Sequence, residues 1–115
     1  MENNSMTRAH AYYTRVGQKD VEGIKQYLHP DVEFSSPLSS CQGKDAVVKA
    51  TTGFMNTFKS LSIRAQFGAE DQAVIVYDVD IPGVSKDFPG VSLMTFRDGL
   101  IARIELFFDA SNFRV

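Results

Sequence analysis

The chain carries one cysteine, two histidines, no long apolar run and no excess of either charge. A single thiol, Cys41, cannot close an internal disulfide, and it cannot build a zinc site alone. Twelve Lys plus Arg against 14 Asp plus Glu give a formal net charge of −2. The basic surplus that nucleic acid binding requires is therefore missing. No stretch approaches the roughly 18 consecutive apolar residues of a membrane span, and Met1-Glu2-Asn3-Asn4 lacks the basic start of a signal peptide. These absences predict a cytoplasmic protein with no membrane or nucleic acid partner. Internal repeats, low-complexity tracts and linkers are absent too. What remains is 115 residues, 43% apolar and 23% charged, which is an ordinary globular composition. That length suits a single domain, 1–115, able to bury one core without staples.

The apolar period changes once, near residue 60. Met6, Ala9, Tyr12, Tyr13 and Val16 recur at helical spacing, and Gly17 offers a C-terminal stop. Asp20 caps a short second helix with Val21, Ile24 and Leu28 inward, ending at His29-Pro30. Val32 and Phe34 alternate with Glu33 as a short strand before the turn at Ser35-Ser36-Pro37. A third helix is predicted from about Lys44 to Phe58, with Val47, Ala50, Phe54, Phe58 and Leu61 as its stripe. Beyond it, Ile63, Ala65 and Phe67 alternate, and residues 73–81 form a long β-branched run. Pro82-Gly83 and Pro89-Gly90 read as the brackets of a loop. Leu93 to Arg97, Asp98-Gly99 and Leu100 to Phe108 then spell an antiparallel hairpin. Helices first and strands second predict an α+β domain.

Few polar residues stand out on chemistry alone. Asp78 and Asp80 share one strand face, the geometry of a metal or acid–base pair, but no His or Cys lies nearby in sequence. A solvated or partner-facing pair is the better reading, and no metal site is predicted. His29 sits at a predicted helix C-terminus, where the dipole favours it, and His10 lies on the first helix. Cys41 reads as a small loop residue, and Gly43-Lys44 lacks the other glycines of a phosphate loop.

The order of these segments resembles the SnoaL-like and ketosteroid-isomerase-like family of the nuclear-transport-factor-2-like superfamily. Three stretches carry the resemblance over nearly the whole chain. They are Tyr12 through Pro37 with Asp20-Val21-Glu22-Gly23-Ile24, Gly43 before the Lys44 helix, and the closing hairpin Phe96 to Asp109. The resemblance implies three N-terminal helices packed in the concave face of a strongly curved antiparallel sheet, a cone-shaped barrel. Its open end would hold a small apolar molecule, and the outer sheet face would form a homodimer.

Ketosteroid isomerase pairs an aspartate base with a tyrosine and a protonated aspartic acid. Matched to that pattern, the tyrosine is Tyr12, but the two carboxyl positions fall on Ser36 and Ser92. Steroid isomerisation by that mechanism is therefore not expected. Comparison with SnoaL-type cyclases makes Asp109 the candidate general acid or base, although their partner histidine has no match. The alternative for Asp109 is a strand-end aspartate bonded to nearby amides. Tyr77 shares the inward face of Ile75 and Val79, a second pocket phenol, while Ser36 and Ser92 are weaker polar handles. Met94, Phe96, Phe108, Phe54 and Phe58 are candidates for the pocket wall. The expected ligand is small, apolar and carbonyl- or hydroxyl-bearing. Any catalysis would be cofactor-free, with Asp109 moving the proton and Tyr12 or Tyr77 stabilising the oxyanion. The rival expectation is a non-catalytic homodimeric binding or association module.

Overall fold

Apolar alternation becomes architecture in a computed structural model of the chain that describes residues 4–111. The order is α1 (Asn4–Gly17), α2 (Val21–Lys25), β1 (Leu28–Ser35), β2 (Ser40–Gln42), α3 (Lys44–Met55), β3 (Ser60–Ala69), β4 (Gln72–Ile81), β5 (Ser85–Arg97) and β6 (Leu100–Phe107). The strands form one sheet in the order β2-β1-β6-β5-β4-β3, curved and unclosed. Helix α1 packs on β3 and β4, while α3 packs on β1 and β2. Ala73, Ile75, Tyr77 and Val79 from β4 meet Met94 from β5 and Ile101 and Ile104 from β6 in the core between them.

The Asp98-Gly99 hairpin forms where the sequence predicts it. Both turn residues have positive φ, 56° and 78°, the backbone that a two-residue antiparallel turn requires. Asp20 caps α2, its Oδ1 accepting the Gly23 amide at 2.9 Å. Asp20→Ala is expected to cost about 1 kcal/mol of stability, measured by urea unfolding. The partly exposed Arg15–Asp20 pair at 3.4 Å adds little to that.

Several boundaries differ from the sequence reading. Helix α2 stops at Lys25 and β1 already begins at Leu28, because His29 before Pro30 prefers the extended region. Helix α3 ends at Met55 rather than Phe58, and Ser40–Gln42 adds a short strand where the pattern suggests a loop. Pro89-Gly90 does not close a loop but lies inside β5, opposite Asp78 and Tyr77 of β4. Pairing of β5 with β6 starts at Val91, so Pro89 has a free flank where a missing N–H is tolerated.

One strand pair is parallel. β1 runs alongside β6 with Phe34 opposite Ile104, so the sheet is antiparallel except at this seam. Alternation carries no information on direction, which the crossover through the later elements decides. A bulge at Arg64 in β3 changes the side-chain parity between Ile63, opposite Tyr77, and Ala65, opposite Val76. Ile63 thus packs against the core, while Phe67 lies on the outer face, 62% exposed.

Candidate functional site

Because the sheet curves without closing, its wide end is not filled by side chains. A cavity of about 310 Å³ remains between α3, the segment after β1, and strands β4 to β6. Ala50, Gly53 and Phe54 reach it from α3, with Thr57 just beyond the helix. Tyr77, Val79 and Ile81 reach it from β4, and Phe88 and Gly90 from β5. Leu106 and Phe108 close one side; Phe34, Ser36, Leu38 and Ser39 close the other. None of these described lining residues carries a charge. Their only polar side chains are the hydroxyls of Ser36, Ser39, Thr57 and Tyr77.

Helix α3 serves two faces at once. Val47, Thr51 and Met55 are buried in the core, whereas Ala50 and Phe54, one residue earlier on the helical wheel, line the cavity. Phe54 stacks obliquely on Phe58, ring centroids 5.0 Å apart, and on Tyr77 at 6.3 Å. Phe88 and Phe108 face each other edge-on at 6.1 Å.

A buried group of phenols stands behind this wall. Tyr12 and Tyr13 meet edge-on at 5.3 Å, and Tyr13 stacks on Tyr77 at 5.4 Å. The hydroxyls of Tyr12 and Thr51 share a 3.3 Å hydrogen bond. Burial pushes the Tyr12 phenol up to about 12, against a smaller lowering by Thr51. Burial raises Tyr77 too, with the neighbouring Tyr12 adding to the rise. Tyr13 goes up for the same reason, then through Tyr77 and Tyr12, while nearby Ser92 opposes slightly. All three phenols are therefore neutral donors at physiological pH. A void of about 20 Å³ lies among Tyr12, Tyr13 and Thr51, separated from the large cavity by Phe34, Phe54 and Leu106.

The candidates from sequence thus fall in different places. Tyr77, Ser36, Phe54 and Phe108 line the cavity together. Tyr12 lines only the small void. Phe58, Met94 and Phe96 are buried core residues. Ser36 also organises its own turn, its Oγ accepting the Leu38 and Ser39 amides, each at 3.2 Å. Asp109 is exposed after β6, and its Oδ1 accepts the Ser111 amide at 3.0 Å. It is outside the cavity lining. Asp78 pairs with Arg64 at 3.6 Å. Among the described residues no three His, Cys, Asp or Glu are grouped to hold a metal. Among them, too, no helix is long and apolar enough to cross a membrane.

Ser92 is fully buried, and its Oγ, although beside the Tyr13 phenol, makes no hydrogen bond of regular geometry. A buried hydroxyl without a partner is a net cost. Ser92→Ala is therefore expected to raise stability by about 1 kcal/mol, read from the urea midpoint at constant slope.

Phe88 and Gly90 escape the sequence reading because the Pro-Gly pair suggests a loop. The parity of Met94 and Ser92, continued backward, would place Gly90 and Phe88 on the same inward face.

Comparison with known proteins places this geometry. The model of the SnoaL-like domain family matches residues 9–104. No curated protein matches the sequence. Among solved structures, a protein from Kribbella flavida is similar with a TM-score of 0.88 at 21% identity, over 94% of this chain and 88% of that one. A steroid delta-isomerase from Pseudomonas aeruginosa gives 0.81 at 19% identity, covering 97% and 84%. TerC, co-crystallised with polyporic acid, gives 0.78 at 22%, covering 96% and 95%. At such identities these likenesses establish the shape alone. With the family match spanning most of the sequence and the curved sheet and three helices in place, the chain belongs to the SnoaL-like domain family.

Proposed function

We propose that this protein binds a small, largely apolar molecule bearing a carbonyl or hydroxyl group in the cavity at the wide end of the sheet. The observation that carries this reading is the cavity itself, about 310 Å³ and lined by aliphatic and aromatic side chains with a few hydroxyls and no charge. That volume lies within the size range of small-molecule sites. Two proteins of the same fold support a small-molecule reading: one is named a steroid delta-isomerase, and TerC was co-crystallised with polyporic acid. Binding is better supported than acid–base catalysis, since neither Asp109 nor Tyr12 lines the cavity. No cofactor enters the proposal.

Native mass spectrometry of freshly purified protein, followed by denaturing extraction, tests whether a molecule travels with it. A calorimetric titration with 2-acetylnaphthalene supplies an independent probe. A ligand of this size should bind with a dissociation constant on the order of 100 µM. A Cβ at Gly53 would meet nothing within 4 Å, so Gly53→Phe should fold while filling the cavity. It is expected to weaken the probe at least about tenfold, a loss of ~1.4 kcal/mol. Unchanged affinity would sink the proposal.

A second reading rests on the outer sheet face. Two apolar rows cross the strands there, Phe67–Val74–Leu93 and Ala65–Val76–Val91–Phe107, with Phe67 and Phe107 more than half exposed. Contiguous apolar surface of this kind marks an association site, and the proposed occupant is a second copy of this chain. Val76→Glu should convert a dimer to monomer in sedimentation equilibrium. A wild-type monomer at high concentration would overturn this reading.

A further inference from the structure

Tyr77 and Gly90 are direct cross-strand partners on β4 and β5, and both line the large cavity. The pairing is unusually close. A Cβ added at Gly90 would lie 2.6 Å from both the ring Cζ and the hydroxyl oxygen of Tyr77. The phenol therefore lies flat across the backbone of β5, in space that only glycine leaves open. Tyr13 stacks on the same ring at 5.4 Å, and Phe54 flanks it at 6.3 Å. Tyr13 itself is anchored in α1, so three elements confine the Tyr77 ring.

The hydroxyl is different. Among the described residues no hydrogen bond engages it, whereas the Tyr12 hydroxyl is held by Thr51. A neutral phenol at a cavity wall with no protein acceptor is a donor held ready for something in the cavity. The remaining lining hydroxyls are less suited to that task. Ser36 Oγ already closes its own turn, Thr57 Oγ1 donates to the Phe54 carbonyl at 2.7 Å, and Ser39 is exposed to solvent on the turn after β1.

Resting on the binding reading above, we infer that Tyr77 is the polar determinant of specificity in the cavity, and that Gly90 is its positioning residue. Tyr77 donates to an oxygen acceptor, such as a ketone carbonyl, on an otherwise apolar ligand. A hydrocarbon of equal shape would fill the same space without that bond. A net hydrogen bond of ordinary strength corresponds to roughly a three- to tenfold preference for the oxygen-bearing molecule.

The test compares two isosteres, 2-acetylnaphthalene and 2-isopropenylnaphthalene, which differ by exchange of the carbonyl oxygen for a methylene. Titrations are run on the wild-type protein, Tyr77→Phe and Gly90→Ala. The wild type should prefer the ketone by roughly three- to tenfold. In Tyr77→Phe the ketone should lose roughly three- to tenfold in affinity and no longer exceed the hydrocarbon, because its carbonyl is then desolvated without a donor, with the hydrocarbon itself little changed. Gly90→Ala should erase the preference by displacing the phenol it leaves in place. Equal affinities in the wild type, which needs no variant to fold, would overturn the inference while leaving cavity binding intact. Persistence of the preference in Tyr77→Phe would do the same. Binding of neither probe would remove the cavity reading and this inference with it.

Discussion

Urea unfolding of this protein should show stability falling steeply as pH rises above 10, the ordinary phenol value from which Tyr12, Tyr13 and Tyr77 all depart upward. In the unfolded chain these phenols ionise near 10, while in the folded protein Tyr12 holds its proton to about 12. Between those values the folded state binds more protons than the unfolded one, so unfolding becomes easier with each increment of pH. Their contribution is fully present below pH 10 and lost as pH climbs toward the folded values. Each phenol that stays protonated contributes about 1.4 kcal/mol per pH unit, so the three acting together give a slope of about 4 kcal/mol per unit. Tyr12→Phe should reduce that slope by about a third. Tyrosinate absorbance followed across the same range supplies the check. Phenols that ionise near pH 10 without any loss of structure would contradict their burial.

Ile104→Ala should be a severely damaging truncation, at about 2–5 kcal/mol. Ile104 is 1% exposed on β6, where it faces Met94 of β5 and Phe34 of β1 at the parallel seam. It also borders the small void beside Tyr12 and Tyr13. Deletion of its outer carbons would enlarge that void, and the strands on either side, hydrogen-bonded to β6, cannot collapse into it. The loss is a large fraction of the roughly 5–15 kcal/mol that holds a domain of this kind together. Phe107→Ala on the same strand should change monomer stability by less than about 0.5 kcal/mol, because Phe107 is 53% exposed. Chemical denaturation of both variants at equal slope makes the comparison. Similar losses at the two positions would mean that the assigned strand parity is wrong.

Much of this architecture is legible in the residue pattern. The helical spacing of Ala9, Tyr12, Tyr13 and Val16 and the alternation of Ala73, Ile75, Tyr77 and Val79 name most of the core, because burial of one face is a local, periodic property. Asp98-Gly99 names its hairpin, because few residue pairs take positive φ twice in succession. The family resemblance, carried by segment order and spacing, anticipates the match over residues 9–104.

The candidate site is less legible. Parity and resemblance single out Tyr77, Phe54, Phe108 and Ser36, and these do share one cavity. Yet Met94 and Phe96 have the same apolar character and are packed in the core instead. Alternation says that a side chain points inward; it does not say how far along the cone that side chain sits, or whether anything fills the space opposite. Gly90 is the clearest case, since a glycine after proline looks like a turn until Tyr77 is seen lying across it.

The sequence by itself determined the two-layer α+β domain, the hairpin, the inward faces and the family, all of which follow from local periodicity, turn chemistry and segment order. Tertiary structure alone decided the parallel seam between β1 and β6, the change of parity at Arg64, the place of Asp109 outside the cavity, and the approach of Tyr77 to Gly90. Each of these depends on where distant segments meet as the sheet curves, and no short-range pattern encodes that.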